Sequence, residues 1–99
     1  MTTQTANQVR PLFALGQTFA TPGALLLMQG LKISPITLLT RHQQGDWSDM
    51  DATDQQSNTE AIRTKSRIFS AYKVSPVVKL LVITEADRSA TTILLPEEY

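Results

Sequence analysis

Two helix starts written in the same grammar, Thr21-Pro22 and Ser34-Pro35, constrain this chain more than any other feature. A hydroxyl that can cap the first free N–H groups precedes a proline whose missing N–H costs nothing at the first helical position. Ala24-Leu-Leu-Leu-Met28 follows the first start, with Gly30 as its expected stop. Ile36, Leu38 and Leu39 follow the second, with Arg41 and His42 near the negative end of the dipole and Gly45 as the stop. The pair predicts a short helical hairpin. A third helix, capped by Asp49 or Asp51 and running to about Arg63, is expected with only Ala61 and Ile62 to dock it.

After that segment the apolar period changes from 3.6 to 2. Residues 67–74 alternate, with Ile68, Tyr72 and Val74 on one face and Phe69 and Ala71 on the other. Ser75-Pro76 and Glu85-Ala-Asp-Arg-Ser89 read as turns, and Val77–Thr84 and Ala90–Leu95 as two further strands, ended by Pro96. Upstream, Arg10–Thr21 carries Leu12, Phe13, Leu15 and Phe19 around Gly16 and reads as extended. The expected architecture is α+β. An N-terminal strand leads into two or three helices and then a three-stranded antiparallel meander, the helices lying on one sheet face. Residues 1–9 are expected to be a flexible tail and 10–99 one domain.

Nine basic and nine acidic residues cancel, so the basic face that phosphate neutralisation demands is not written into the composition. Arg63, Lys65, Arg67 and Lys73 form a local basic stretch, on which a DNA-binding regulator would have to rely. The absence of cysteine excludes disulfides, thiolate metal sites and cysteine nucleophiles, and fits a cytoplasmic setting. No apolar run approaches the ~20 residues of a membrane span. The four glycines stand at 16, 23, 30 and 45, with no phosphate-loop or dinucleotide spacing. No cofactor is expected.

Candidate chemistry gathers in RHQQGDWSDMDATDQQSNTE, residues 41–60, which holds the only histidine, the only tryptophan and five of the nine acidic residues. A calcium loop starting at Asp49 would put Glu60 at the twelfth position, but Asp54 then occupies the sixth, where the sharp turn needs glycine. A capped polar helix accounts for the same residues with less strain. His42 and Asp46 could pair as ligands or as acid and base if the second helix ran through Gly45, although one histidine is few for a transition-metal site. Trp47 either closes the hairpin against the sheet edge or stands exposed as an interface anchor. If the Glu85–Arg88 turn faces the same side, then His42, Asp46, Trp47, Glu85, Asp87 and Arg88 form a polar recognition patch. If instead His42, Glu85, Asp87 and Arg88 converge, a small nuclease or toxin-like enzyme becomes the alternative.

The closing run VITEADRSATTILLPEEY, with RHQQGDW and LGQTFATPGAL, resembles a family of roughly hundred-residue proteins carried on bacterial plasmids and integrative elements. The likeness covers about residues 12–99. Members are labelled plasmid-related proteins, or a subunit of a type I restriction system. The chain has neither the glycine-rich loop nor the catalytic tetrapeptide of a methyltransferase, so only the setting carries over. It departs from the family pattern at Ser48, where glycine is common, and at the glutamines of the third helix. The resemblance implies a setting, an accessory gene on mobile DNA in a bacterium. The cancelled charge and the acidic, tryptophan-bearing loop favour a host or mobile-element protein as partner rather than nucleic acid or membrane. A protein-binding role, with counter-defence as one concrete form, is the expectation.

Overall fold

The computed structural model describes residues 10–99, so the expected flexible tail lies outside the described residues. The chain forms β1 (Gln17–Ala20), α1 (Pro22–Leu31), α2 (Pro35–Gln43), α3 (Ala52–Thr64), β2 (Ile68–Lys73), β3 (Lys79–Thr84) and β4 (Ala90–Leu94), closed by a 3-10 turn at Pro96–Glu98. The sheet order is β1-β4-β3-β2. The last three strands are the antiparallel meander, and β1 adds a parallel edge on β4 with Gln17 opposite Ala90 and Ala20 opposite Ile93.

Both helix starts behave as their grammar dictates. Thr21 Oγ1 accepts from the Ala24 N–H at 3.2 Å and Ser34 Oγ from the Ile36 N–H at 3.2 Å. The stops differ. Gly30 lies inside α1, and Lys32 takes the left-handed turn at φ 58°, its N–H donating to the Met28 and Gln29 carbonyls. A lysine there sets a positive charge beside the exposed carbonyls of the helix end, which offsets its conformational cost. Gly45 does end the second helix, at φ 77°, where a β-carbon would press on Leu12 at 2.8 Å.

One sheet face receives the helices. Ile68, Tyr72, Leu80, Val82 and Ile93 stand at or near zero exposure and pack with Ala24, Met28, Leu38 and Ala61. The other face is apolar too, with Leu81, Ile83 and Leu94 buried beside Phe69 and Ala71. Tyr99 folds back there, its ring 5.6 Å from Phe69 and nearly perpendicular to it. β3, Lys-Leu-Leu-Val-Ile-Thr, is a central strand, which is why apolar residues run through it without alternation. Glu98 pins the C-terminal turn to the start of α1, accepting from the Thr21 hydroxyl at 2.5 Å and from its own turn at Leu95 N–H, 2.8 Å. No single helix among the described residues is long and apolar enough to cross a membrane. The α1–α2 pair is bent by 106°.

Candidate functional site

α2 ends over the part of the sheet where the inward positions are hydroxyls instead of hydrocarbons: Ser70 on β2, Thr84 on β3 and Thr91 on β4. Thr84 and Thr91 are direct cross-strand partners, while Ser70 is diagonal to Thr84 because Ile68 is the residue opposite it. His42 bridges that diagonal. Its Nδ1 lies 2.6 Å from Ser70 Oγ and its Nε2 2.8 Å from Thr84 Oγ1. Thr84 Oγ1 is 2.7 Å from Thr91 Oγ1, and Thr91 donates to the Leu15 carbonyl at 2.8 Å.

The end of this chain fixes every proton in it. A carbonyl only accepts, so the single Thr91 hydroxyl proton points to Leu15. Thr84 must then donate to Thr91, and so accepts from His42 Nε2–H. Nδ1 is left as the acceptor of the Ser70 proton. His42 is therefore the neutral Nε2–H tautomer, fully buried, with both ring nitrogens satisfied. Burial, helped by the positive charge of Arg88, pushes the imidazole down to about 4. Among the helix-end cations expected from the sequence, Arg41 serves the dipole and His42 does not.

A serine 2.6 Å from an imidazole has the spacing of a nucleophile and its base. Access decides against that use. Ser70 and His42 both have zero exposure, and no carboxylate orients the ring. Phe13 packs edge-on against the imidazole, with centroids 5.0 Å apart. The same Phe13, with Ile62, Lys65, Asp87 and Arg88, lines an open cleft of about 370 Å³ that His42 does not reach.

The other expected site residues are placed apart from one another. Trp47 is 6% exposed and packs with Ala61 and Ile68, so of its two readings the packing one holds, although it closes α3 onto β2 and not the hairpin. Asp46 accepts from Arg41 Nε at 2.7 Å and from Ser48 Oγ at 2.9 Å. The pairing holds its carboxyl below the ordinary range and takes it out of any partnership with His42. Arg88 turns inward at φ 61° and donates to the Ser66, Ala61 and Glu85 carbonyls at 2.6, 3.2 and 3.1 Å, closing the C-terminal end of α3. Glu85 meets Arg67 at 3.9 Å and Asp87 caps the Ser89 N–H at 3.0 Å. The six-residue patch thus loses His42 and Trp47 to the core, which leaves Glu85 and Asp87 outside and Asp46 and Arg88 half-buried. The side chains of His42, Glu85, Asp87 and Arg88 share no hydrogen bond with one another: His42 is held by Ser70 and Thr84, Asp87 by Ser89, and Arg88 by backbone carbonyls, while Glu85 faces Arg67.

Most carboxylates of the acidic stretch have partners of their own. Asp51 Oδ1 caps α3 through the Asp54 N–H at 2.8 Å, the capped-helix alternative to the calcium loop. Asp49 accepts from the Lys73 N–H at 2.9 Å, and Glu60 from Arg63 at 2.5 Å. Arg41 also stacks 4.4 Å over the Tyr72 ring. Of the basic stretch, Arg63 and Arg67 are each within 4 Å of a carboxylate. Neither family models, nor curated proteins, nor solved structures match the chain.

Proposed function

We propose that this chain is a non-enzymatic, protein-binding accessory factor of a bacterial mobile element, acting on a host protein complex. Its contact surface is the outward side of the α1–α2 hairpin rather than the 41–60 loop. One observation carries the reading. Residues 11–40 contain a single charge, Lys32, and in that span Leu26 and Ile36 are 70% and 71% exposed, with Phe19, Leu25 and Leu31 also open. Exposed leucines scattered singly need no explanation, but a run of them with almost no charge marks an interaction surface. The mobile-element setting comes from the sequence resemblance, and counter-defence is the form of host binding that setting favours. The enzymatic alternative has no such support, because the histidine it needs is enclosed and fully hydrogen-bonded.

The test is affinity capture from the natural host with three baits: wild type, Leu26→Glu with Ile36→Glu, and Asp46→Ala. Both altered positions on the hairpin are exposed, so the double variant keeps the fold, checked by circular dichroism. Wild type and Asp46→Ala should retain one common partner at least tenfold over the hairpin variant. Equal capture by all three would move the surface elsewhere.

A further inference from the structure

The two edges of the sheet are treated differently. At the β2 edge, side chains occupy part of the backbone that faces away from β3, at Phe69 and Lys73. Asn58 donates to the Phe69 carbonyl at 2.8 Å and accepts from the Phe69 N–H at 3.1 Å, copying a neighbouring strand, while Asp49 takes the Lys73 N–H. At the β1 edge nothing comparable exists among the described residues. Gln17 and Thr21 donate to the Ser89 and Ile93 carbonyls of the β4 side at 3.0 Å each. In a parallel pair alternate residues bond to the same neighbour, so the N–H and C=O groups of Thr18 and Ala20 point outward. Gln17, Thr18 and Phe19 are exposed, and Phe19 is 52% open. An edge is ordinarily guarded by shortness, charge, proline or a bulge, and of these β1 has only its four-residue length. No charge occurs from Pro11 to Leu31, and β1 contains no proline.

We infer that β1 is a self-association edge, pairing antiparallel with β1 of a second copy about a two-fold axis at Phe19. This goes beyond the binding reading and stands without it. In that register Thr18 of one copy faces Ala20 of the other, and all four outward backbone groups on each strand find partners. The two Phe19 side chains meet as a non-hydrogen-bonded pair, where cross-strand side chains approach most closely. The occupant is a second copy because one register satisfies both strands at once, as an isologous contact requires. The charge pattern agrees: two uncharged edges meet without like-charge opposition, whereas a charged partner strand would find no counter-charge. The result is a continuous eight-stranded sheet carrying two α1–α2 hairpins.

Sedimentation equilibrium over a micromolar-to-millimolar range tests this, with Thr18→Pro and Phe19→Lys beside wild type. Proline at 18 removes an N–H that faces outward, so the internal ladder is untouched. Wild type should show a concentration-dependent dimer, and both variants should remain monomeric with unchanged circular dichroism. A wild type that stays monomeric at millimolar concentration, or a dimer that persists in both variants, overturns the inference. Should either variant misfold, Phe19→Cys decides: the chain has no other cysteine, so mild oxidation should give a covalent dimer. The same treatment of Val77→Cys, on the far β2–β3 turn, should leave a monomer. Equal cross-linking at both positions contradicts the two-fold register. Partner capture by the hairpin is read separately and does not depend on any of these masses.

Discussion

The His42 imidazole holds Ser70 and Thr84 at once, so removing it strands the Ser70 hydroxyl, leaves Thr84 with Thr91 alone and opens a cavity among residues with zero exposure. His42→Ala is expected to cost about 3–5 kcal/mol by urea denaturation. The linkage to pH follows from the direction of the shift. The folded ring, at about 4, lies below the ordinary value of 6.5, so protons bind the unfolded chain more readily. The stabilisation is complete above pH 6.5 and is lost as pH falls from 6.5 toward 4, by roughly 3 kcal/mol in all. His42→Gln should flatten the stability profile across that window. If the variant keeps the wild-type slope, another group is responsible. Tyr72 offers the contrast. It is equally buried, its phenol is pushed up to about 12 by burial, and its hydroxyl has no hydrogen-bond partner among the described residues. Tyr72→Phe should therefore change stability by no more than about 1 kcal/mol, since no bond is lost with the oxygen.

At the scale of elements, the helix starts were legible because capping is local: a hydroxyl followed by proline needs nothing from the rest of the chain. The stop of α1 was not legible, because the choice between Gly30 and Lys32 depends on where α2 must leave. α3 was readable as a capped helix but not in how it docks. Its 13 residues bury only Asn58 and Ala61, and the first of these works through two hydrogen bonds to the β2 backbone, not through hydrophobic area. Apolar periodicity cannot register that contact. Asn58→Ala should lower stability by about 2 kcal/mol and expose the β2 edge, raising the aggregation rate measured by light scattering. Asn58→Asp keeps only the accepting half and should not restore it. Arg88 was noticed as a charge and missed as a cap. Its value lies in reaching the Ala61 carbonyl of α3 and the Ser66 carbonyl just beyond it from the β3–β4 turn, a long-range geometry invisible in the turn's own sequence. Arg88→Ala is expected to cost about 1.5–3 kcal/mol by denaturation, with Arg88→Lys recovering only part of it, because one ammonium cannot serve the same spread of carbonyls.

Across the whole molecule, the α+β layering and the meander follow from the change of period near residue 67, so both could be read directly. The parallel placement of β1 on β4 could not, since it joins the two ends of the chain. Within 41–60 the capped helix at Asp51 and the packing of Trp47 match the expectation, while the full burial of His42 does not. Rare residue types drew attention to 41–60, whereas burial, set by the sheet, decides what those residues do. One sign was available: Ser70 sits at an inward position between Ile68 and Tyr72, and a hydroxyl there requires a buried polar partner. His42 and Trp47 lie in the core and Asp46, Asp49, Glu60 and Glu85 each lie within 4 Å of an arginine, whereas the surface at β1 and the helical hairpin is nearly uncharged. That account rests on His42 being structural. Because the chain has one histidine, long-range proton–nitrogen NMR correlation of the imidazole reads it without assignment ambiguity. A neutral Nε2–H ring that stays neutral through pH 5 and titrates near 4 is the expected result. A ring that titrates near 6.5 would contradict the buried relay and return His42 to the surface as a candidate for chemistry, and a proton on Nδ1 would overturn the donor order that Thr91 imposes.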